Sequence, residues 1–144
     1  MDEPHDFFIN GLPLPSDLLE LINTGRWQCP RDQSKVDILF PDRGELELYS
    51  LEYMPLENKY WVNQTNPMFI GEPDAANPPG DIDPHQSILI GGLGIGYDQP
   101  IALDYRFPIG EPCVLTLKWS LNGRSNRWIK IAPNIRIFSE MLGL

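Results

Sequence analysis

The sequence predicts an α+β domain, and three observations predict it. Three apolar runs in the C-terminal half alternate with period two and are separated by short turns. A helix signal with acidic residues in its first turn stands near the N-terminus, and a second apolar helix pattern closes the chain. Fifteen prolines among 144 residues keep every element short, because proline neither continues a helix nor donates to a sheet.

In chain order, Ser16 reads as the N-cap of a first helix over Asp17–Ile22, with Asp17 and Glu20 suited to the positive end of its dipole. Leu18, Leu21 and Ile22 fall on one face, and Asn23-Thr24-Gly25 supplies the stop. Val36–Phe40 reads as a short strand and Leu46–Tyr49 as another. Ser50 caps one predicted helical turn over Leu51–Met54, which Pro55 ends. Residues from Glu57 to Pro84 read as irregular, apart from a brief strand at Met68–Ile70. Within them, Gly71–Pro84 is a polar, proline-rich loop long enough to suggest a role in function. Ser87–Ile90 is a strand interrupted by the glycines that follow. Ile101–Tyr105, Cys113–Trp119 and Trp128–Ile131 form an antiparallel meander, with a turn at Asn122-Gly123. A last helix from about Asn134 presents Ile135, Phe138, Met141 and Leu142, and Gly143 ends it.

Composition bounds the function. No stretch approaches the roughly 18 apolar residues of a membrane span, and the acidic start lacks the basic region of a secretory signal. A cytoplasmic chain is expected, with Cys29 and Cys113 as reduced core residues. The net charge is −9 and is unevenly spread. Residues 1–90 carry 16 acids and 5 bases, a net of −11, and residues 91–144 carry 4 acids and 6 bases, a net of +2. Such a surface disfavours nucleic acid and membrane phosphates and steers a basic protein toward itself, besides keeping the chain dispersed.

No catalytic constellation is legible. The run Gly91-Gly92-Leu93-Gly94-Ile95-Gly96 lacks dinucleotide spacing, is followed by a strand rather than a helix, and has no Walker lysine. It reads instead as a bulged strand or turn where glycine permits close backbone approach. Asp74, Asp81, Asp83 and His85 lack EF-hand spacing, so no metal is expected and the loop reads as a solvated contact surface. His5 and His85 are the only histidines, and neither stands in a nucleophile motif. Asp104 is either a buried, satisfied carboxylate or the partner of Arg106 or Lys118. Trp27, Trp61, Trp119 and Trp128 are mostly core residues, with any exposed one a potential partner anchor.

Three C-terminal segments then carry a family likeness: DPHQSILIGGLGIGYDQPIALDYR, PCVLTLKW and WIKIAPNIRIFSEMLGL. Their order and spacing resemble the SUKH superfamily, named in part after a fungal regulator of cell-wall synthesis. LPSDLLELI and LYSLEYM look like N-terminal elements of the same family, although Asn23-Thr24-Gly25 stands where its members usually have Asn-Gly-Gly. The resemblance implies one domain over residues 1–144: a mixed, largely antiparallel sheet flanked by helices. It implies no catalytic residues and no cofactor. For many bacterial members it implies an immunity role, in which a cognate toxin, often a nuclease, is bound and neutralised inside the cell. A scaffold or regulatory module is the second expectation. A small-ligand binder or enzyme with a cleft beside Gly91–Asp98 is the third. The candidate partner-binding residues are Glu72, Asp74, Asp81 and Asp83 of the polar loop, with Tyr97 and Asp98 of the glycine-rich turn. The partner expected is a basic protein domain.

Overall fold

A computed structural model describes residues 7–41, 45–94, 99–106, 110–120 and 125–144. A hairpin of β1 (Phe8–Ile9) and β2 (Leu12–Pro13) precedes α1 (Ser16–Asn23) and α2 (Gln33–Leu39). Strand β3 (Leu46–Leu48) then leads to α3 (Met54–Trp61) and the single turn α4 (Pro67–Ile70). Strands β4 (Ser87–Leu93), β5 (Gln99–Asp104), β6 (Cys113–Lys118) and β7 (Arg127–Ala132) follow, and α5 (Ile135–Leu142) closes the chain. The large sheet has the order β3-β4-β5-β6-β7, and every described pairing is antiparallel. The fold is therefore α+β, with helices flanking an antiparallel meander. No helix among the described residues is long and apolar enough to cross a membrane.

Every residue of β4 and β5 is buried, so both faces of the central sheet are covered. Helix α5 packs on β6 and β7 and against α1 and α2, while α3 packs on β4. Trp27 meets Phe138 edge to face at 6.4 Å and donates its indole N–H to the Tyr49 carbonyl at 3.1 Å. Trp61 meets Trp128 at 6.0 Å. Trp27, Trp61 and Trp128 are core residues, and Trp119 is half-buried.

The local signals succeed where one period dominates. The meander, α1 and α5 stand where the patterns place them. In detail, Pro15 rather than Ser16 occupies the α1 cap, without a side-chain bond, and Met141 is partly exposed while Ser139 is buried.

Four predicted elements are corrected. Val36–Phe40 is not a strand but the end of α2 and its cap, because Asp32 caps the helix by accepting from the Ser34 N–H at 3.0 Å and its hydroxyl at 2.6 Å. A strand would put Val36, Ile38 and Phe40 on one face. Instead Val36 and Phe40 are buried and Ile38 is 78% exposed, as helical spacing requires. Pro55 does not end a turn but stands in the first turn of α3, where its missing N–H costs nothing, so the helix runs on to Trp61. Pro67 begins α4 in the same way, with Asn66 accepting from the Met68 N–H at 3.0 Å, so Met68–Ile70 is helical. Strand β4 passes through Gly91 and Gly92 rather than stopping before them, with an irregularity between Leu89 and Gly91. A Cβ on Gly91 would lie 2.6 Å from the Glu47 carbonyl oxygen, which is the close backbone approach that the glycine permits. The cysteines are also misplaced: both are free, but Cys29 is exposed and Cys113 half-buried, so neither is a core residue.

Candidate functional site

The polar loop is built into the sheet edge. Gly80 and Trp128 exchange backbone hydrogen bonds of 3.0 and 2.8 Å, which covers the outer edge of β7 at that point. Ile82 is buried and its N–H reaches the Ile70 carbonyl at 2.9 Å. Gly80 has φ +79°, and a Cβ there would collide with the Glu72 carbonyl and lie 2.6 Å from the Asp74 nitrogen.

Each of the four acids predicted from this loop has a partner inside the chain. Glu72 pairs with Arg127 at 3.2 Å. Asp74 accepts from the backbone N–H groups of Ala76 and Asn77 at 3.0 and 3.2 Å, closing a turn. Asp83 caps the 3-10 turn Pro84–Gln86, accepting from the His85 N–H and the Gln86 amide at 2.9 Å each. The Gln86 bond, with help from that N–H and nearby positive charge, holds the Asp83 carboxyl below its ordinary pKa. Asp81 belongs to a knot around Arg106, whose Nη1 reaches Asp81 Oδ1 at 2.9 Å and whose Nη2 reaches the Asp81 carbonyl at 2.9 Å. The same guanidinium grips Asp104 from Nε and Nη2, each at 3.0 Å. Asp104 is only 1% exposed, so the sequence expectation that it pairs with Arg106 holds. Burial alone would lower the Arg106 pKa, but the bonds and charges of Asp104 and Asp81 raise it. Tyr97 and Asp98, the remaining predicted site residues, lie outside the described residues, as does His5.

Among the described residues no group of three or more His, Cys, Asp or Glu side chains could hold a metal ion, and His85 is exposed. Of the cleft considered beside Gly91–Asp98, residues 91–93 are buried strand and residues 95–98 lie outside the described part.

A face that the sequence did not announce lies along α3. The helix buries Met54, Asn58 and Trp61, at spacings of four and three. Asn58 is fully buried and uses both ends of its amide. Its Nδ2 donates to the carbonyls of Met54 and Leu89 at 2.9 Å each, and its Oδ1 accepts from the Leu89 N–H at 2.8 Å. That side chain completes the backbone pairing of β4 beside its irregularity. Trp61 adds an indole bond to Ser87 Oγ at 2.9 Å, and Asn10 of the first hairpin holds the Asn58 carbonyl at 3.0 Å.

With that stripe fixed inward, Leu56 and Tyr60 point out, at 60% and 76% exposure, one helical turn apart. Two acids accompany them in the sequence, Glu52 before the helix and Glu57 within it, and Glu47 lies on β3. Tyr53 links these groups. Its hydroxyl donates to Glu57 Oε2 at 3.0 Å, and its ring meets Tyr49 at 4.9 Å. Burial first, then Glu57 and Glu47, raise the Tyr53 pKa, which places both carboxylates within electrostatic reach of one phenol. Lys59 is the one cation of the helix.

The other notable surface is a groove of about 660 Å³ between residues 74–78 and the adjoining ends of β6 and β7. Its cations are Lys118, Arg127 and Lys130, and Trp119 stands among them.

Comparison with known proteins finds no matching family model, no similar curated protein and no similar solved structure. The expectation that Pro55 ends a turn leaves Leu56, Asn58 and Tyr60 outside any predicted helix. The pattern Met54, Asn58, Trp61, continued past Pro55, was the signal available.

Proposed function

We propose that this chain is a non-catalytic protein-binding domain that captures a basic protein on the outer face of α3. The observation that carries the reading is the exposure of Leu56 and Tyr60 on the outer side of a helix tied to β4, with Glu57 in its first turn. Aromatic and aliphatic anchors supply most of the energy of an interface, and surrounding charge sets the encounter rate and excludes like-charged partners. Helix α3 is tied to β4 through Asn58 and Trp61, so little ordering cost falls on binding.

The resemblance to SUKH proteins supplies the partner class: a toxin domain, in the simplest case a basic nuclease, neutralised in the cytoplasm by occlusion of its substrate groove. The loop acids Glu72, Asp74, Asp81 and Asp83, expected as partner-binding residues, each have a partner within the fold, as Glu57 has in Tyr53, and the proposal rests on α3 rather than on them.

The test is association kinetics with the basic partner recovered from the native host. Tyr60→Ala should weaken binding by about 2 kcal/mol, mainly through faster dissociation. Glu47→Lys with Glu57→Lys should slow association at low salt and flatten its salt dependence. A partner of acidic charge, or rates indifferent to all three substitutions, would remove the proposal.

A further inference from the structure

Positive charge is scarce on this chain, with 11 Lys and Arg against 20 Asp and Glu. Three of those cations line a groove between residues 74–78 and the ends of β6 and β7. Lys118 stands directly opposite Arg127 across the β6–β7 pair. Like charges so placed repel unless a counter-charge separates them. Glu72 meets Arg127 at 3.2 Å, but among the described residues Lys118 and Lys130 have no ion pair. Asp74, the carboxylate in the groove wall, has its Oδ1 occupied by its own loop.

We propose that this groove is a second protein-docking site, which takes an extended acidic segment of a partner. It goes beyond the α3 reading, since it lies on other elements and has the opposite charge. The choice of occupant follows from the exposure of the cations. Lys118 and Lys130 are exposed and Arg127 is half-buried, so a small anion would rest on ammonium groups still in water, where each pair contributes little. An extended segment would reach both unpaired lysines and also cover Trp119, Ile129 and Pro78 in the same walls. The groove is formed in advance: the Asp74 N–H reaches the Pro79 carbonyl at 3.1 Å, Gly80 is bonded to Trp128, and Trp119 meets Phe69 edge to face at 5.8 Å.

The experiment uses the full chain and a fluorescein-labelled peptide of alternating glutamate and tyrosine, followed by anisotropy at low salt. Saturable binding is expected. It should weaken roughly tenfold or more in Lys118→Glu/Lys130→Glu and persist in Lys118→Arg/Lys130→Arg. A lysine–tyrosine peptide should not compete. Chemical-shift mapping on the unsubstituted chain should move the Lys118, Trp119, Arg127 and Lys130 signals, which needs no variant to fold. Displacement of the peptide by equimolar pyrophosphate would mark a small-anion site and overturn the proposal. So would a dimer in sedimentation that the double charge reversal dissolves, since that would make a second copy the occupant. Absence of saturable binding, or binding indifferent to the substitutions, would also overturn it.

Discussion

Asn58→Ala is the sharpest probe of how α3 is held. The substitution removes three hydrogen bonds and leaves the N–H and C=O of Leu89 without the partner that Asn58 provides, inside a buried strand. An orphaned buried polar group costs about 1–3 kcal/mol, so two groups cost about 2–6 kcal/mol. At about 2–4 °C per kcal/mol for a chain near this size, the melting temperature should fall by roughly 10 °C. Urea unfolding followed by tryptophan fluorescence reads the loss directly, with the m-value unchanged if only stability has moved. Asn58→Asp separates the donor from the acceptor role. It keeps an oxygen for the Leu89 N–H but turns negative charge toward the carbonyls of Met54 and Leu89. Burial raises the pKa of such a carboxyl, so its penalty relative to Asn58 should be least below the unfolded value of about 3.9 and grow as pH rises toward the folded one. A loss under about 1 kcal/mol for Asn58→Ala would show that water or a backbone shift replaces the amide, and would refute the assignment of Asn58 as the tie.

Other outcomes follow from the same geometry. Arg106→Ala should destabilise by about 3–5 kcal/mol in a thermal melt, because Asp104 is left buried without its counter-charge, and pairing it with Asp104→Asn should recover part of the loss. Burial holds the Tyr105 hydroxyl well above its ordinary pKa while it donates to the Pro13 carbonyl at 2.6 Å. Its folded pKa is raised, so its contribution is complete below about pH 10 and is lost above it, and Tyr105→Phe should flatten that alkaline limb of the stability curve. Asp83 has the opposite sign: its contribution is present above about pH 4 and fades as pH falls through its lowered folded pKa, which Asp83→Asn should abolish in an acid titration. Burial raises both thiol pKa values, with Glu45 adding to the effect at Cys29 and Asp104 at Cys113. A thiol reagent should therefore modify exposed Cys29 before Cys113, and both more slowly than in urea.

The α3 face depends on contacts that no local pattern announces. Its acids were visible as a net of −11 over residues 1–90, but which of them crowd together was not. Glu57 stands beside Tyr53 because helical spacing brings them together, and Glu47 acts on the same phenol from β3 through its charge. The loop acids looked equally available in sequence, yet the fold assigned Glu72 to Arg127 and Asp81 to Arg106. The Asn10-Gly11 dipeptide, with φ values of 52° and 82°, makes the two-residue turn between β1 and β2, and it is a hairpin signal legible in the sequence.

By itself the sequence determined the α+β class, the C-terminal meander and the two flanking helices, because alternation, helical stripes and turn residues act within a few positions. It also determined that this is an acidic chain whose cations gather toward its end. Packing against α5 added what the Asp32 cap began, turning Val36–Leu39 helical although that stretch satisfies both periods. The tertiary structure likewise decided that Asn58 completes the pairing of Leu89, 31 positions away, and that Arg106 gathers Asp81 across 25 positions. A buried polar group must find a partner, but its type says nothing of where along the chain that partner stands.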